Sequence, residues 1–310
     1  MSIRGVLKSS ETGWQHQNVP FPFRAFCDAR GEMSNIPAES AFICATCGTQ
    51  FPPSLNPPAA CPICDDERQY VGAAGQTWTT LDKLRRTHRN MFQRLEPDLY
   101  GIGSAPQFAI GQRALLIRTP HGNVLWDCIS LLDDATIDII TALGGLTAIA
   151  ISHPHFYTTM LEWARVFNVP VHLHAANRAW VMRTDPAIRF WEGETHDLLP
   201  GLRLTRLGGH FAGSTVLTWD AGADGRGALL SGDMPQVVAD RRYVSFMRSY
   251  PNLIPLPPAD VTRIAGVLAG LRFDRIYAGF WDAHVREDAQ VAVQRSAARY
   301  VAWSQGDAGA

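Results

Sequence analysis

The stretch LTAIAISHPHFYTTM, residues 146–160, decides how this chain folds. It opens with an apolar run that predicts a buried β-strand over residues 146–152, ending at Ser152. His153 and His155 follow directly, and their i, i+2 spacing can aim both imidazoles to one side. The sequence therefore predicts two metal ligands in a single loop at the end of a strand.

Two more polar side chains follow other predicted strands. His210 comes just after the apolar run 202–208, in the segment LGGHFAGSTVL, and Asp233 ends the run GALLSGD. Because loops at strand ends converge on one edge of a rigid sheet, we expect these two residues to meet the histidines of the first loop. Three imidazoles and one carboxylate are a ligand set for Zn²⁺ or Fe²⁺.

The rest of the chain beyond residue 100 alternates short apolar runs with amphipathic stretches, which predicts a layered α/β domain. A hairpin is predicted around the turn at residues 120–123. Further strands are predicted at residues 169–174, 202–208, 214–220, 227–233 and 274–280, and helices at about 156–167, 259–270 and 285–303.

With these motifs in this order, residues 98–304 resemble the metallo-β-lactamase superfamily. Its hallmarks are His-x-His-x-Asp-His, Gly-His-x-x-Gly-Ser and Gly-Asp, followed by a late His. The corresponding segments here are His153-Pro154-His155-Phe156-Tyr157-Thr158, Gly209-His210-Phe211-Ala212-Gly213-Ser214 and Gly232-Asp233. The resemblance implies an α/β fold, the αββα metallo-β-lactamase-type sandwich, with a metal held by His153, His155, His210 and Asp233. It also places Asp127 at the early structural aspartate of that family.

The chain departs from the family at its second metal site. The resemblance puts Tyr157, Thr158 and Phe280 where the family has the Asp, the His and the late His that hold the second ion. It therefore implies a mononuclear centre, with one Zn²⁺ or Fe²⁺. His284 lies four residues beyond Phe280, and either a place near the vacant second site or a helix N-terminal position on the surface is open to it.

Four cysteines form a second motif, with the spacing Cys44-x2-Cys47-x13-Cys61-x2-Cys64. Two such pairs satisfy tetrahedral zinc, and the metal can fold a segment too short to bury its own core. We expect a zinc-ribbon module with a structural Zn²⁺. Two unrelated cysteine pairs are one alternative. A resemblance to rubredoxin, an iron electron carrier, is another, although the loop between the pairs is shorter than in that family and Asp65 replaces its glycine.

These patterns divide the chain into four parts. Residues 1–76 are expected to hold an irregular N-terminal arm and the cysteine module, and residues 77–97 a connecting helix, with helical spacing from Thr79 to Leu95 and a Thr N-cap. The metallo-β-lactamase-like domain is predicted over residues 98–304, and residues 305–310 form a tail.

The charge composition argues against nucleic acid and membranes as binding partners. The 28 basic and 29 acidic side chains leave a formal charge of −1, which gives no field to recruit nucleic acid or an anionic membrane. We expect a small-molecule substrate and leave the oligomeric state open.

No run approaches the roughly 18 to 20 apolar residues that span a bilayer, and the N-terminus lacks a signal-peptide pattern, so we expect a cytoplasmic protein. The near absence of lysine is typical of a GC-rich bacterial genome.

The predicted activity is hydrolysis of a small ester, thioester, lactone or amide by a metal-bound water, whose pKa falls toward about 7 on a divalent ion. Asp233 is expected to ligate or to shuttle a proton. Tyr157 either acts as a second catalytic residue, through a hydrogen bond from its hydroxyl, or simply packs. The alternatives are a mononuclear iron oxidoreductase resembling persulfide dioxygenases, and a degenerate binding protein without catalysis.

Overall fold

The computed structural model describes residues 39–307. The predicted N-terminal arm up to residue 38 and the last three residues of the predicted tail lie outside the described residues. The strands are β1 (Ser40–Cys44), β2 (Gln50–Ser54), β3 (Trp78–Thr79), β4 (Arg89–Glu96), β5 (Leu99–Ala105), β6 (Ala114–Ile117), β7 (Val124–Trp126), β8 (Ala148–Ala150), β9 (Val171–His174), β10 (Ile188–Trp191), β11 (Thr195–Leu199), β12 (Leu202–Arg206), β13 (Thr215–Trp219), β14 (Ala228–Gly232), β15 (Gln236–Val237), β16 (Val244–Ser245), β17 (Met247–Ser249), β18 (Ile254–Pro255), β19 (Arg275–Ala278) and β20 (His284–Val285). The α-helices are α1 (Pro62–Asp65), α2 (Leu81–Thr87), α3 (Asp134–Ala142), α4 (Met160–Phe167), α5 (Pro258–Ala269) and α6 (Ala289–Ser304).

Two large mixed sheets form the main body. The first has seven strands in the order β10-β9-β8-β7-β6-β5-β4, and the second has six in the order β11-β12-β13-β14-β19-β20. A separate three-stranded antiparallel sheet, β2-β1-β3, carries the cysteine module. The predicted hairpin is confirmed, because β6 and β7 pair antiparallel with Leu116 opposite Leu125.

The core has the layers of an αββα sandwich. Between the two sheets lies one apolar cluster that includes Leu115 and Trp126 of the first sheet and Leu217 of the second. Helices α3 and α4 pack on the outer face of the first sheet, and α5 and α6 on the outer face of the second. The predicted fold class is therefore confirmed. No helix in residues 39–307 is long and apolar enough to cross a bilayer.

The connecting helix predicted from Thr79 to Leu95 is wrong over its second half. Thr80 does cap a helix, since its side chain accepts a hydrogen bond from the Lys83 amide at 3.4 Å, but α2 ends at Thr87. The chain then continues as β4, which pairs antiparallel with β5. Backbone pairing with a neighbouring strand outweighs the local helical spacing here, as tertiary context often does.

The sheets position the predicted ligands at strand ends. The first loop follows β8, an inner strand of the seven-stranded sheet that pairs in parallel with β7 and β9. The predicted strands at 202–208 and 227–233 are found as β12 and β14 of the other sheet, each two residues shorter than expected. Loops from both sheets therefore meet along one edge of the sandwich.

Candidate metal centre

Four buried side chains converge at this edge. His153, His155, His210 and Asp233 each bring one ligand atom within 4.8 Å of the others. Nε2 of His153 lies 3.4 Å from Oδ2 of Asp233, and Nε2 of His210 lies 3.2 Å from Nδ1 of His155. Four ligands at about 2.0–2.1 Å from a tetrahedral zinc ion are about 3.3 Å apart. The two spacings therefore fit donors that share one ion.

Two polar atoms of the cluster lack hydrogen-bond partners, which also fits a bound cation. Nε2 of His153 and Oδ1 of Asp233 are buried and have no hydrogen-bond partner. Leaving such an atom unpaired costs about 1–3 kcal/mol, and more for a charged group. A metal ion bound between these atoms would satisfy them.

Contacts behind the ligands orient the imidazole rings. Nδ1 of His210 lies 2.7 Å from the carbonyl oxygen of Arg248, to which it can donate only if it carries the proton. That tautomer leaves the lone pair of Nε2 directed into the cluster. The hydroxyl of Ser152 lies 2.9 Å from Nδ1 of His153, and a hydrogen bond between them orients that ring.

The environment keeps two of the candidate ligand histidines neutral. Burial, together with the neighbouring His153, lowers the pKa of His210 to about 3. Burial and the neighbouring His210 lower the pKa of His155 well below its usual value. Neutral imidazole is the form that binds a metal. Both side chains are therefore ready to act as ligands at neutral pH.

Asp127, which the resemblance placed at the early structural aspartate, lies beneath this loop. Its Oδ1 accepts a hydrogen bond from the Ser152 amide at 2.8 Å, directly before the first ligand histidine. The residue is fully buried and adopts a left-handed backbone, with φ of 60°. Burial raises the pKa of its carboxyl to about 8. Asp127 therefore supports the loop as a neutral or weakly ionised group.

A cavity of about 380 Å³ opens onto the cluster. Sequence reasoning missed most of its walls, because no motif marks them. The described residues that line it are Arg68, Gln69, Tyr70, Gln107, Ala109, Ile110, His155, His210, Asp233, Gln236, Tyr250, Pro251 and Phe280. Among these, Asp233 is the single carboxylate.

The residues at the positions of the family's second metal site do not all lie at the cavity. Phe280 lines the cavity, but Tyr157 does not: it packs in the core beside α4, next to a small space lined by Thr49 and Gln50. Burial raises the pKa of the Tyr157 phenol above its usual value, so the hydroxyl stays protonated. Tyr157 therefore lies in the core and outside the cavity, and a catalytic role for it stays a prediction.

His284 also lies away from this cavity. It belongs to β20, pairs with Tyr277 of β19, and its Nε2 accepts a hydrogen bond from Nε of Arg286 at 3.0 Å. His284 therefore lies neither in the cavity wall beside Phe280 nor at the N-terminus of a helix. Apart from His155, His210 and Asp233, the described cavity walls present amide, aromatic and aliphatic groups and one guanidinium, and no second set of ligands.

The four cysteines form one cluster, which excludes two unrelated pairs. Their sulfur atoms lie within 4.8 Å of one another, with Sγ–Sγ distances of 3.5 Å for Cys44 and Cys64 and 3.7 Å for Cys47 and Cys61. Thiolates bound to zinc at about 2.3 Å are about 3.8 Å apart. The set can therefore hold a tetrahedral ion.

The pKa values of these thiols also fit a bound cation. The contact with Cys47 lowers the pKa of Cys44 below its usual value, and the same contact, with burial, raises the pKa of Cys47. The contacts within the cluster thus favour the thiolate at some of the four positions and the thiol at others. A cation would allow all four to ionise.

Comparison with known proteins agrees with this architecture. No family model matches the chain. The chain is 51% identical over 262 residues to the uncharacterized protein YmaE of Bacillus subtilis (strain 168), a match that covers 84% of this chain and 95% of YmaE. Among solved structures, it is similar to the DIM-1 metallo-β-lactamase, with a TM-score of 0.52, 13% identity and coverage of 68% of this chain and 98% of that one. It is also similar to VMB-1, with a TM-score of 0.51, 12% identity and coverage of 70% and 98%. The chain belongs to the same family as YmaE and has the metallo-β-lactamase fold.

Proposed function

We propose that the protein is a metal-dependent hydrolase with a mononuclear centre, acting on a small ester, thioester, lactone or amide. The observation that carries this proposal is the cluster of three imidazoles and one carboxylate, of which His155, His210 and Asp233 line a cavity of about 380 Å³. His153, His155, His210 and Asp233 would hold the ion. A divalent ion in such a set supplies Lewis acidity, which lowers the pKa of water and polarises a carbonyl oxygen.

The two carboxylate oxygens of Asp233 can serve different roles, one as a metal ligand and the other as a proton acceptor. Oδ2 lies 3.4 Å from Nε2 of His153, among the ligand atoms, while Oδ1 is buried without a partner. Oδ1 can therefore accept a proton inside the cavity while Oδ2 stays with the ligands.

Tyr250 holds Asp233 in place. Its hydroxyl donates to the carbonyl oxygen of Asp233 at 2.8 Å. Burial, followed by the nearby Asp233 carboxylate, raises the pKa of Tyr250 well above its usual value. The phenol therefore remains a hydrogen-bond donor at neutral pH and acts as a positioning group, not as an acid or a base.

The remaining walls indicate a neutral, polar substrate. The charge of Arg68 is offset by Asp66, with Nε and Oδ1 2.5 Å apart. Oε1 of Gln69 and Oε1 of Gln236 are buried without partners at the cavity. These two oxygens can accept hydrogen bonds from N–H or O–H groups of a substrate, which would offset the cost of burying them.

For the cysteine cluster we propose a structural Zn²⁺. It lies outside the cavity, and the segment from β1 to α1 contributes only a small apolar cluster around Ile63 and the cysteines themselves. A segment of this kind depends on its metal for folding.

Element analysis of the purified protein, combined with turnover on a panel of esters, thioesters, lactones and amides, tests the function. We expect metal at both sites and hydrolysis of at least one class, lost in Asp233→Asn and kept in Arg203→Met. The control Arg203 pairs with Asp197 on an exposed face away from the cavity. Iron at the His/Asp site with oxygen consumption would favour the oxidoreductase. Absence of metal and of turnover would contradict the proposal.

A further inference from the structure

The segment that follows the last cysteine of the module, residues 66–70, reaches the metal centre. Nη1 of Arg68 donates to the carbonyl oxygen of His210 at 3.3 Å, and its guanidinium lies 4.0 Å from the centre of the Phe211 ring. The Arg68 side chain is only 11% exposed. The module therefore holds the backbone of a ligand histidine.

The preceding residue, Glu67, is linked to the same histidine through Arg248. Oε1 of Glu67 lies 2.5 Å from Nε of Arg248. The carbonyl oxygen of Arg248 in turn accepts from Nδ1 of His210 at 2.7 Å. Glu67 thus acts on the imidazole ring, through Arg248, while Arg68 acts on the backbone.

Residues 66–70 are tied to the cysteine cluster at one end and to the main domain at the other. In α1, the carbonyl of Cys61 accepts from the amides of Cys64 and Asp65 at 2.9 and 3.0 Å. Asp66 then binds Arg68 through both carboxylate oxygens. Nδ2 of Asn252 donates to the Glu67 and Gln69 carbonyls at 2.9 and 2.8 Å. A displacement of Cys64 would therefore move Arg68.

We propose that the four-cysteine module positions His210, so that Glu67 and Arg68 are positioning residues and metal binding at the two sites is coupled. This inference rests on the proposed metal centre of the hydrolase. Groups that orient ligands from behind commonly change metal affinity about 10-fold to 100-fold when removed. Because coupling between two binding sites is reciprocal, a filled His/Asp site should also stabilise the metal of the module.

The module docks on the main domain through a second region, which provides a matched control. The hydroxyl of Ser130 donates to the Gly48 carbonyl at 2.9 Å, and the Gln50 amide donates to the Thr158 carbonyl at 3.0 Å. Neither contact involves His210. Ser130→Ala therefore weakens docking of the module without touching the ligand.

The test uses the full chain with the module loaded and the His/Asp site stripped, titrated with Zn²⁺ against a chromophoric chelator. We expect Arg68→Met to weaken zinc binding at the His/Asp site about 10-fold to 100-fold and Glu67→Gln to weaken it less. Arg68→Lys should recover part of the affinity, because an ammonium can still donate to the His210 carbonyl. Ser130→Ala should bind like the wild type, and the module of each variant should keep its ion.

Three results would overturn the inference. Wild-type affinity in both Arg68→Met and Glu67→Gln would do so while leaving the proposed function standing. Equal weakening by Ser130→Ala would show that general loosening, not these contacts, sets the affinity. A wild-type protein that takes up no ion at the His/Asp site would overturn both the inference and the proposed function. If Arg68→Met does not fold, Glu67→Gln decides, because the Glu67 side chain is 55% exposed.

Discussion

Nε2 of His210 lies 3.2 Å from Nδ1 of His155, although the two residues are 55 positions apart in the chain. The loop that carries His155 follows β8 of the seven-stranded sheet, and the loop that carries His210 follows β12 of the six-stranded sheet. The candidate centre therefore exists only when both sheets are packed face to face.

The metal content should be about two ions per chain, one at each four-ligand site. His210→Ala should lose one of them and keep its fold, because the three large apolar clusters do not include this side chain. Element analysis and a thermal melt by circular dichroism measure both quantities. A third ion, bridged to the first by Asp233, would contradict the mononuclear centre.

Cys61→Ser should lower solubility and thermal stability. The thiolate that it removes is one of four that hold the proposed structural ion, and we expect a loss of about 3 kcal/mol or more, or about 6–12 °C in Tm. Cys128→Ala is the control, since Cys128 is also buried but lies outside the cluster and should keep both ions. If Cys61→Ser folds like the wild type and loses only turnover, the cysteine site is not structural.

Asp127→Asn should flatten the pH dependence of stability. The Asp127 carboxyl has a pKa of about 8 in the folded protein, against about 3.9 when unfolded. Between these values the folded state holds one more proton. The free energy of unfolding therefore falls as pH rises from about 4 to about 8, by at most about 1.4 kcal/mol per unit from this group.

Urea denaturation at pH 5 and pH 8 measures this difference for the wild type and the variant. Asp240→Asn is the control, because hydrogen bonds from Arg242 lower the pKa of Asp240 to about 2, outside that range. An unchanged slope in Asp127→Asn would show that the Asp127 carboxyl is already ionised at pH 5 in the folded protein.

Gln69→Met should separate stability from activity. Gln69 is 5% exposed and its Oε1 has no partner, so an apolar side chain of similar volume should leave the free energy of unfolding unchanged or raise it by up to about 1 kcal/mol. KM for an active substrate should rise, because the amide faces the cavity. Gln112→Met also replaces a buried amide that has an unpartnered atom, but away from the cavity, and KM should not change. A normal KM in Gln69→Met would remove this residue from substrate recognition.

The sequence by itself predicted the strands that precede His153 and Asp233, found as β8 and β14, together with the candidate metal-ligand set and the two Cys-x-x-Cys pairs. These features are local, because an apolar run followed by a ligand, or two thiols three residues apart, can be read from neighbouring positions. Only the tertiary structure decided that residues 89–96 pair as β4 and that Tyr157 fills the core. It also decided that Glu67 and Arg68 of the module support His210 and that Gln69 faces the cavity. Each of these outcomes depends on contacts between distant segments, and such contacts form only after the sheets have packed and the competing local preferences have been outweighed.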